Sequence, residues 1–330
     1  MHDEKRTFSF PSADRIHTLR AVTWYPTQQP CRAIIQVSHG MTEYFERYED
    51  FAHAMTRHGF AVSGHDHLGH KTSVNSNSEL GCFAEKDGWK LVIDDLRTHT
   101  LELEKTYPNI PRFLLGHSMG SFIARCYLAQ YSELLDGGII VGTGGPNPGA
   151  KAGKLLAEGL CRIGKGKEPS KMLHKLAFGS YNSRFEGRTP YDWLTRSTQI
   201  VDQYAADPYC TFLFTASGFR DLFTLYGLAN ELQTFRAVPK TFPLLILSGG
   251  DDPVGNYGEG PRKVEELFKQ TGHIDVTLRL YPGGRHEILN ETNRGEVYDG
   301  IASWVCLLYT SPFYLLYYKK ANEKCQVNIF

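Results

Sequence analysis

Along most of this 330-residue chain, short apolar runs that read as buried strands alternate with stretches of helical spacing. That alternation constrains the fold more than any other feature. The strand-like runs are 32–38 (RAIIQVS), 60–66 (FAVSGHD), 111–115 (PRFLL), 138–141, 243–247 and 276–281, with a β-leaning stretch at 17–26 before them. Helical patterns fall between or after them at 45–58, 89–103, 119–131, 263–270 and 296–306, the first stopped by Gly59. Strands that are apolar at nearly every position are buried on both faces, and helical crossovers supply the covering layers. The spacing therefore predicts an α/β fold, a mostly parallel central sheet with helices on both faces. No internal repeat is visible.

The alternation stops between 146 and 236. Here the pattern is helical and loop-like, flanked by Gly/Pro-rich margins at 142–149 (GTGGPNPG) and 238–243 (VPKTFP). The expected division is a first core part at 1–145, a helical cap inserted at 146–236, a second core part at 237–307 and an atypical tail at 308–330. Within the insertion, residues 151–175 carry Lys151, Lys154, Arg162, Lys165, Lys167, Lys171 and Lys175 against only Glu158 and Glu168. Leu155, Leu156, Leu160 and Ile163 fall on one helical face. Such a stripe is expected to pack on the body and leave a solvated basic face. The alternative is an interfacial helix that touches anionic lipid, a peripheral membrane contact through the basic cap.

Composition removes several classes. The 36 Lys+Arg balance 36 Asp+Glu, which argues against a nucleic-acid binder. At 41% apolar and 12% aromatic the chain has material for a large core and is not disordered. Its seven cysteines are scattered, odd in number and without a Cys-x-x-Cys pair, which suits a reducing, cytoplasmic setting better than a disulfide framework. The N-terminus shows no apolar signal-peptide core. Ile301 to Tyr318 lacks charge and reaches the length of a membrane span, but Pro312 interrupts it. Its first half is expected to be the last helix of a globular domain.

Gly116-His117-Ser118-Met119-Gly120 follows the strand PRFLL and opens a helix, the context a nucleophile elbow requires. Glycines flank the serine because larger side chains would collide in so sharp a turn. A serine hydroxyl needs a base, and the base needs an orienting acid, in the chain order Ser, acid, His. The run LLILSGGDDPVG (244–255) delivers Asp251 and Asp252 at a strand end, and VTLRLYPGGRHEILNE (276–291) delivers His286 in the loop after the next strand. Parallel sheets place functional side chains at such carboxyl ends. The oxyanion donors expected are the backbone N–H groups of Met119, just after the nucleophile, and Met41, in the turn Ser38-His39-Gly40-Met41. His65 and His67 share a face if their strand continues, but no matching ligand cluster is visible elsewhere, so no metal site is expected.

With HGMTEY at 39–44, GHDHLGH at 64–70, GHSMG at 116–120, SGGDDPVG at 248–255 and YPGGRHEILNE at 281–291, the chain resembles the α/β-hydrolases, and among them the monoacylglycerol lipase/lysophospholipase group. The likeness covers about residues 8–306, including SRFEGRTPYDWL at 183–194. It implies an α/β-hydrolase core with an inserted helical cap, a triad of Ser118, Asp252 and His286, oxyanion donors at Met41 and Met119, and no cofactor. Its implied substrate is a single-chain acyl glycerol or lysophospholipid. Pro253 supports Asp252 over Asp251 because it keeps the preceding residue extended. One departure is Gly69-His70-Lys71-Thr72-Ser73, where the group usually has Gly-x-Gly-x-Ser; this bears on the loop's conformation. Beyond Leu307 the chain matches nothing expected of the group. A small-ester esterase, a peptidase and a non-catalytic receptor are the alternatives on the same fold.

Overall fold

The structure is a computed structural model that describes residues 3–310. Strands β1 (Asp3–Pro11), β2 (Thr18–Pro26), β3 (Ala33–Ser38), β4 (Phe60–His65), β5 (Arg112–His117), β6 (Gly137–Val141), β7 (Leu244–Gly249) and β8 (Val276–Tyr281) form one sheet in the order β1-β2-β4-β3-β5-β6-β7-β8. β2 pairs antiparallel with both β1 and β4, and every pairing from β4 to β8 is parallel. This is the α/β-hydrolase fold. The strand at 3–11 is one the composition hides. Its DEKRTFSFP is largely exposed and charged, as an edge strand protected against further pairing should be, and it is held by nine register pairs to β2.

The central strands are buried throughout, and successive side chains divide between two cores. Leu114, Ile140 and Ile246 join the core on one face, while Phe113, Leu115, Ile139, Leu245 and Leu247 join the other. Helices α1 (Glu49–Arg57), α2 (Gly88–Thr106), α3 (Met119–Tyr131), α4 (Gly149–Arg162), α5 (Lys171–Phe178), α6 (Thr198–Ala206), α7 (Ala216–Ala229), α8 (Leu232–Ala237), α9 (Glu259–Gln270) and α10 (Arg294–Thr310) cover the sheet or follow β6. The helix expected over 45–58 is split, a 3-10 turn at Phe45–Tyr48 leading into α1. α10 runs through the expected boundary at 307 and buries Ile301, Trp304 and Val305. No helix among the described residues is long and apolar enough to cross a membrane. Residues 311–330, most of the expected tail and part of the uncharged run, lie outside the described residues. Cys31, Cys82, Cys126, Cys161, Cys210 and Cys306 are free thiols.

Between β6 and β7 the chain makes α4 to α8 and a long irregular stretch, with no strand of the sheet among them. Here one expectation is corrected. The α4 stripe packs on the body only at its edge: Leu155 and Ile163 are each 69% exposed and Leu156 is 40% exposed, while the half-buried Leu160 packs against the core. Small residues supply the fully buried contacts. Gly153 and Ala157 are the buried positions of α4, and a Cβ on Gly153 would stand 2.8 Å from the Phe223 ring on α7. Close approach through small residues turns the leucine face outward.

Candidate active site

β5 ends at His117 and α3 begins at Met119, so the whole reversal falls on Ser118. Its φ of 54° and ψ of −119° place a non-glycine residue in a strained region, which lifts the side chain off the sheet. The flanking glycines are sterically required. A Cβ on Gly120 would run into the carbonyl oxygens of Ser38 and His39, and one on Gly116 into Gly120 and Ala124. The backbone is fixed by Ser118 N–H donating to Val141 O at 3.0 Å. The turn after β3 lies against it: a Cβ on Gly40 would be 3.1 Å from Ser118 Cβ. Met41 and Met119 line the same cavity as Ser118.

The loops after β7 and β8 bring Asp252 and His286 together. His286 Nδ1 lies 3.0 Å from both carboxylate oxygens of the fully buried Asp252. Asp251 is exposed, and its backbone N–H donates to Gly284 O. The His286 ring sits between Trp193, centroids 5.1 Å apart, and His117, at 4.8 Å. It lines the cavity with Ser118. That cavity measures about 1120 Å³, and Phe122, Leu176, Phe178, Leu222 and Phe223 supply much of its apolar wall.

A buried charge network under the nucleophile escaped sequence reasoning. The Glu43 carboxylate meets His117 Nδ1 at 2.9 Å, accepts from Tyr48 Oη at 2.9 Å and Arg47 Nη1 at 2.9 Å, and also takes the Gly40 N–H. Arg47 forks onto Glu287 with two bonds of 2.7 Å. Burial works to raise the Glu43 carboxyl, but the neighbouring His117 and Arg47 charges hold it well below the usual carboxylate range. Burial likewise works to lower His117, and Glu43 outweighs it, leaving that imidazole raised. The available signal was local: Glu43 and Arg47 stand one helical turn apart in HGMTEYFER.

The loop that lacks a glycine keeps its shape at some strain. Lys71 takes a φ of 28°, in the left-handed region where glycine is preferred. Thr72 Oγ1 donates to Asp66 Oδ2 at 2.6 Å, and Ser73 Oγ donates to His70 O at 2.6 Å, closing the turn. Lys71 Nζ stands 3.4 Å over the Tyr44 ring.

His65 and His67 join His39, His70 and His99 in a buried imidazole cluster. Burial pushes His39 down to about 4 and His70 and His99 to about 3, with His65 and His67 also well lowered. His65 Nε2 and His67 Nδ1 find no hydrogen-bond partner among the described residues. No group of three His, Cys, Asp or Glu side chains there is arranged to hold a metal ion.

The sequence pattern of the hydrolase family described as serine aminopeptidase S33 matches residues 29–293. The chain belongs to this family. Among its relatives, human monoglyceride lipase is 30% identical over 290 residues, covering 86% of this chain and 84% of the relative. The monoacylglycerol lipase of Mycolicibacterium smegmatis is 28% identical over 287 residues, covering 86% and 90%. In three dimensions this family member superposes on the thermostable carboxyl esterase from Bacillus coagulans, a complex with glycerol, with a TM-score of 0.85 and 32% identity over 91% of this chain and 97% of that one. These likenesses support an α/β-hydrolase of the lipase/esterase type.

Proposed function

We propose that the protein hydrolyses carboxylic esters of single-chain lipids, monoacylglycerols or lysophospholipids, through an acyl-enzyme on Ser118. The observation that carries this reading is the strained Ser118 and the Asp252-held His286 on one large, mostly apolar cavity. Ser118 Oγ attacks the ester carbonyl carbon and gives its proton to His286 Nε2, while Asp252 orients the ring and stabilises the imidazolium. The Met41 and Met119 N–H groups receive the developing oxyanion. As the tetrahedral intermediate collapses, the carbon–oxygen bond to the alcohol breaks and His286 protonates that alcohol. Water, its proton taken by His286, then attacks the acyl carbon, and the Ser118 ester bond breaks to give the fatty acid and restore the hydroxyl. The segment 146–236 acts in this reading as a cap. Its outward Leu155, Ile163 and Met172, among lysines, rest on an anionic membrane surface from which the substrate is drawn. The free thiols suit a reducing, cytoplasmic compartment.

The family's peptidase description favours an amide substrate as the second reading. A peptide's amino terminus would need a free buried carboxylate. Glu43 and Glu287, the buried acids on the cavity wall, are already engaged by His117 and Arg47. The test is a panel of monoacylglycerols, lysophospholipids and aminoacyl amides, with fluorophosphonate labelling of wild type and Ser118→Ala. Labelling is expected in wild type alone, with kcat/KM rising along the acyl series by up to about 0.8 kcal/mol per methylene until the pocket fills. Preferential cleavage of the amides would overturn the ester reading.

A further inference from the structure

The motif region SRFEGRTPYDWL, and the Thr195-Arg196 that follow it, sit between α5 and α6 and form no regular element. They lie along the loop that carries His286. Glu287 N–H donates to Leu194 O at 2.7 Å, and His286 N–H to Trp193 O at 3.4 Å, a short backbone ladder under the histidine. Arg285 Nη1 donates to Asp192 O at 2.6 Å, and Thr195 Oγ1 to Asn290 O at 3.1 Å. One carboxylate ties the two strands of this arrangement together. Glu291 is fully buried. Its Oε1 accepts the backbone N–H of Arg285, the residue before the histidine, and that of Arg196, both at 3.0 Å. Its Oε2 accepts Arg196 Nε at 2.9 Å and Thr292 N–H at 2.9 Å.

We infer that Glu291 is a positioning residue for His286, and that residues 192–196 are a fixed strut for the histidine loop. This rests on the hydrolase reading for its kinetic consequence, though not for its structural one. The physical argument is one of reach. Asp252 fixes only the ring at Nδ1; the backbone that carries the ring must be set by something else, and a misplacement of about 1 Å can cost on the order of a hundredfold in rate. Glu291 holds the backbone immediately before His286 and the strut beneath it with one oxygen, Oε1, and grips the Arg196 side chain with the other. A fully buried carboxylate that accepts several hydrogen bonds at once fixes the geometry of the groups that donate to it. The strut bonds backbone to backbone, so it moves only if the histidine moves with it.

Glu291→Gln in the full chain is the test. It preserves shape but removes the charge and turns one acceptor into a donor facing N–H groups. Expected are a ten- to hundredfold fall in kcat on a soluble short-chain ester, with KM within about twofold, and a shift or broadening of the downfield proton resonance of the His286 Nδ1–H. Arg196→Lys, which keeps the charge and the backbone bond, should recover most of the rate relative to Arg196→Ala, and it carries the test if Glu291→Gln fails to fold. A folded Glu291→Gln protein with wild-type kcat and an unmoved resonance would overturn the inference, as would equal kcat in Arg196→Lys and Arg196→Ala. The resonance needs no turnover. An inactive wild type with a resonance that responds to Glu291 therefore sinks the ester reading and leaves the strut standing.

Discussion

Two stretches of the same insertion between β6 and β7 are built in opposite ways. α4 and α5 bury fully only Gly153, Ala157 and Leu173, pack Leu160 and Phe178 partly against the core, and turn Leu155, Ile163 and Met172 to solvent. Residues 192–196 have almost no regular structure, yet Asp192, Leu194 and Thr195 are at most 3% exposed and bonded to the histidine loop. Secondary structure is thus no guide to which part is fixed. A helix with its apolar face outward gains little from the fold and is available to an external apolar phase, whereas an irregular segment bonded at several points to the histidine loop is held in place.

The comparison can be broken at its catalytic end first. Asp252→Asn should keep the fold and lose on the order of 10⁴ in kcat through the wrong histidine tautomer, with Asp251→Asn costing far less. The reverse ranking in steady-state kinetics would show that the exposed acid is the working one.

The two stretches are then separated directly. Arg196→Ala should lower kcat about ten- to a hundredfold on soluble and vesicle-borne esters alike. Leu155→Ser with Ile163→Ser should leave the soluble ester untouched and weaken sedimentation with anionic vesicles by about tenfold or more, since each side chain offers up to about 2 kcal/mol of burial. Reversing Lys151 and Lys154 to Glu should weaken the same binding in a salt-sensitive way, at about 1 kcal/mol per lysine removed from the surface potential. If both sets of variants altered the soluble reaction equally, the insertion would be one mechanical unit.

The smallest effect is expected within the body, at Lys71. Lys71→Gly relieves left-handed strain but loses the Tyr44 ring contact and adds chain entropy, so the unfolding free energy from a urea titration should change by less than about 1 kcal/mol. A larger loss would mean that the lysine side chain, not the Asp66 and Ser73 bonds, holds the loop.

What the sequence makes legible here is what local order decides. The elbow glycines, the strand ends that present Asp252 and His286, and the sheet of apolar strands are all set by neighbours in the chain. β1 is harder, because an edge strand of DEKRTFSFP satisfies its pairing on one side only and reads as a charged terminus. The α4 stripe shows the limit of periodicity. Spacing says that an apolar face exists, but Gly153 and Ala157, on the side of Leu160, decide which edge of it is covered. Glu291 and Arg196, and Arg47 and Glu287, meet across 95 and 240 residues, distances over which no sequence pattern carries a signal.

The imidazole cluster behind the Ser38–Met41 turn makes folding itself a proton-transfer reaction. The unfolded chain's histidines titrate near 6.5. In the folded protein His39, His65, His67, His70 and His99 are lowered by burial, as are His174 and His273. Their contribution to stability is complete above about pH 6.5 and is lost as pH falls toward the folded values of about 4 and about 3. Asp95 and Asp221, raised to about 7 by burial, work the other way, holding protons in the folded state that the unfolded carboxyls release. The five cluster histidines outnumber Asp95, Asp221 and Asp275, the aspartates raised by burial, so the chain releases protons on balance when it folds near pH 5. Refolding from acid in a weakly buffered solution should therefore acidify it, and a dye that reports proton release should follow the same time course as the recovery of tryptophan fluorescence.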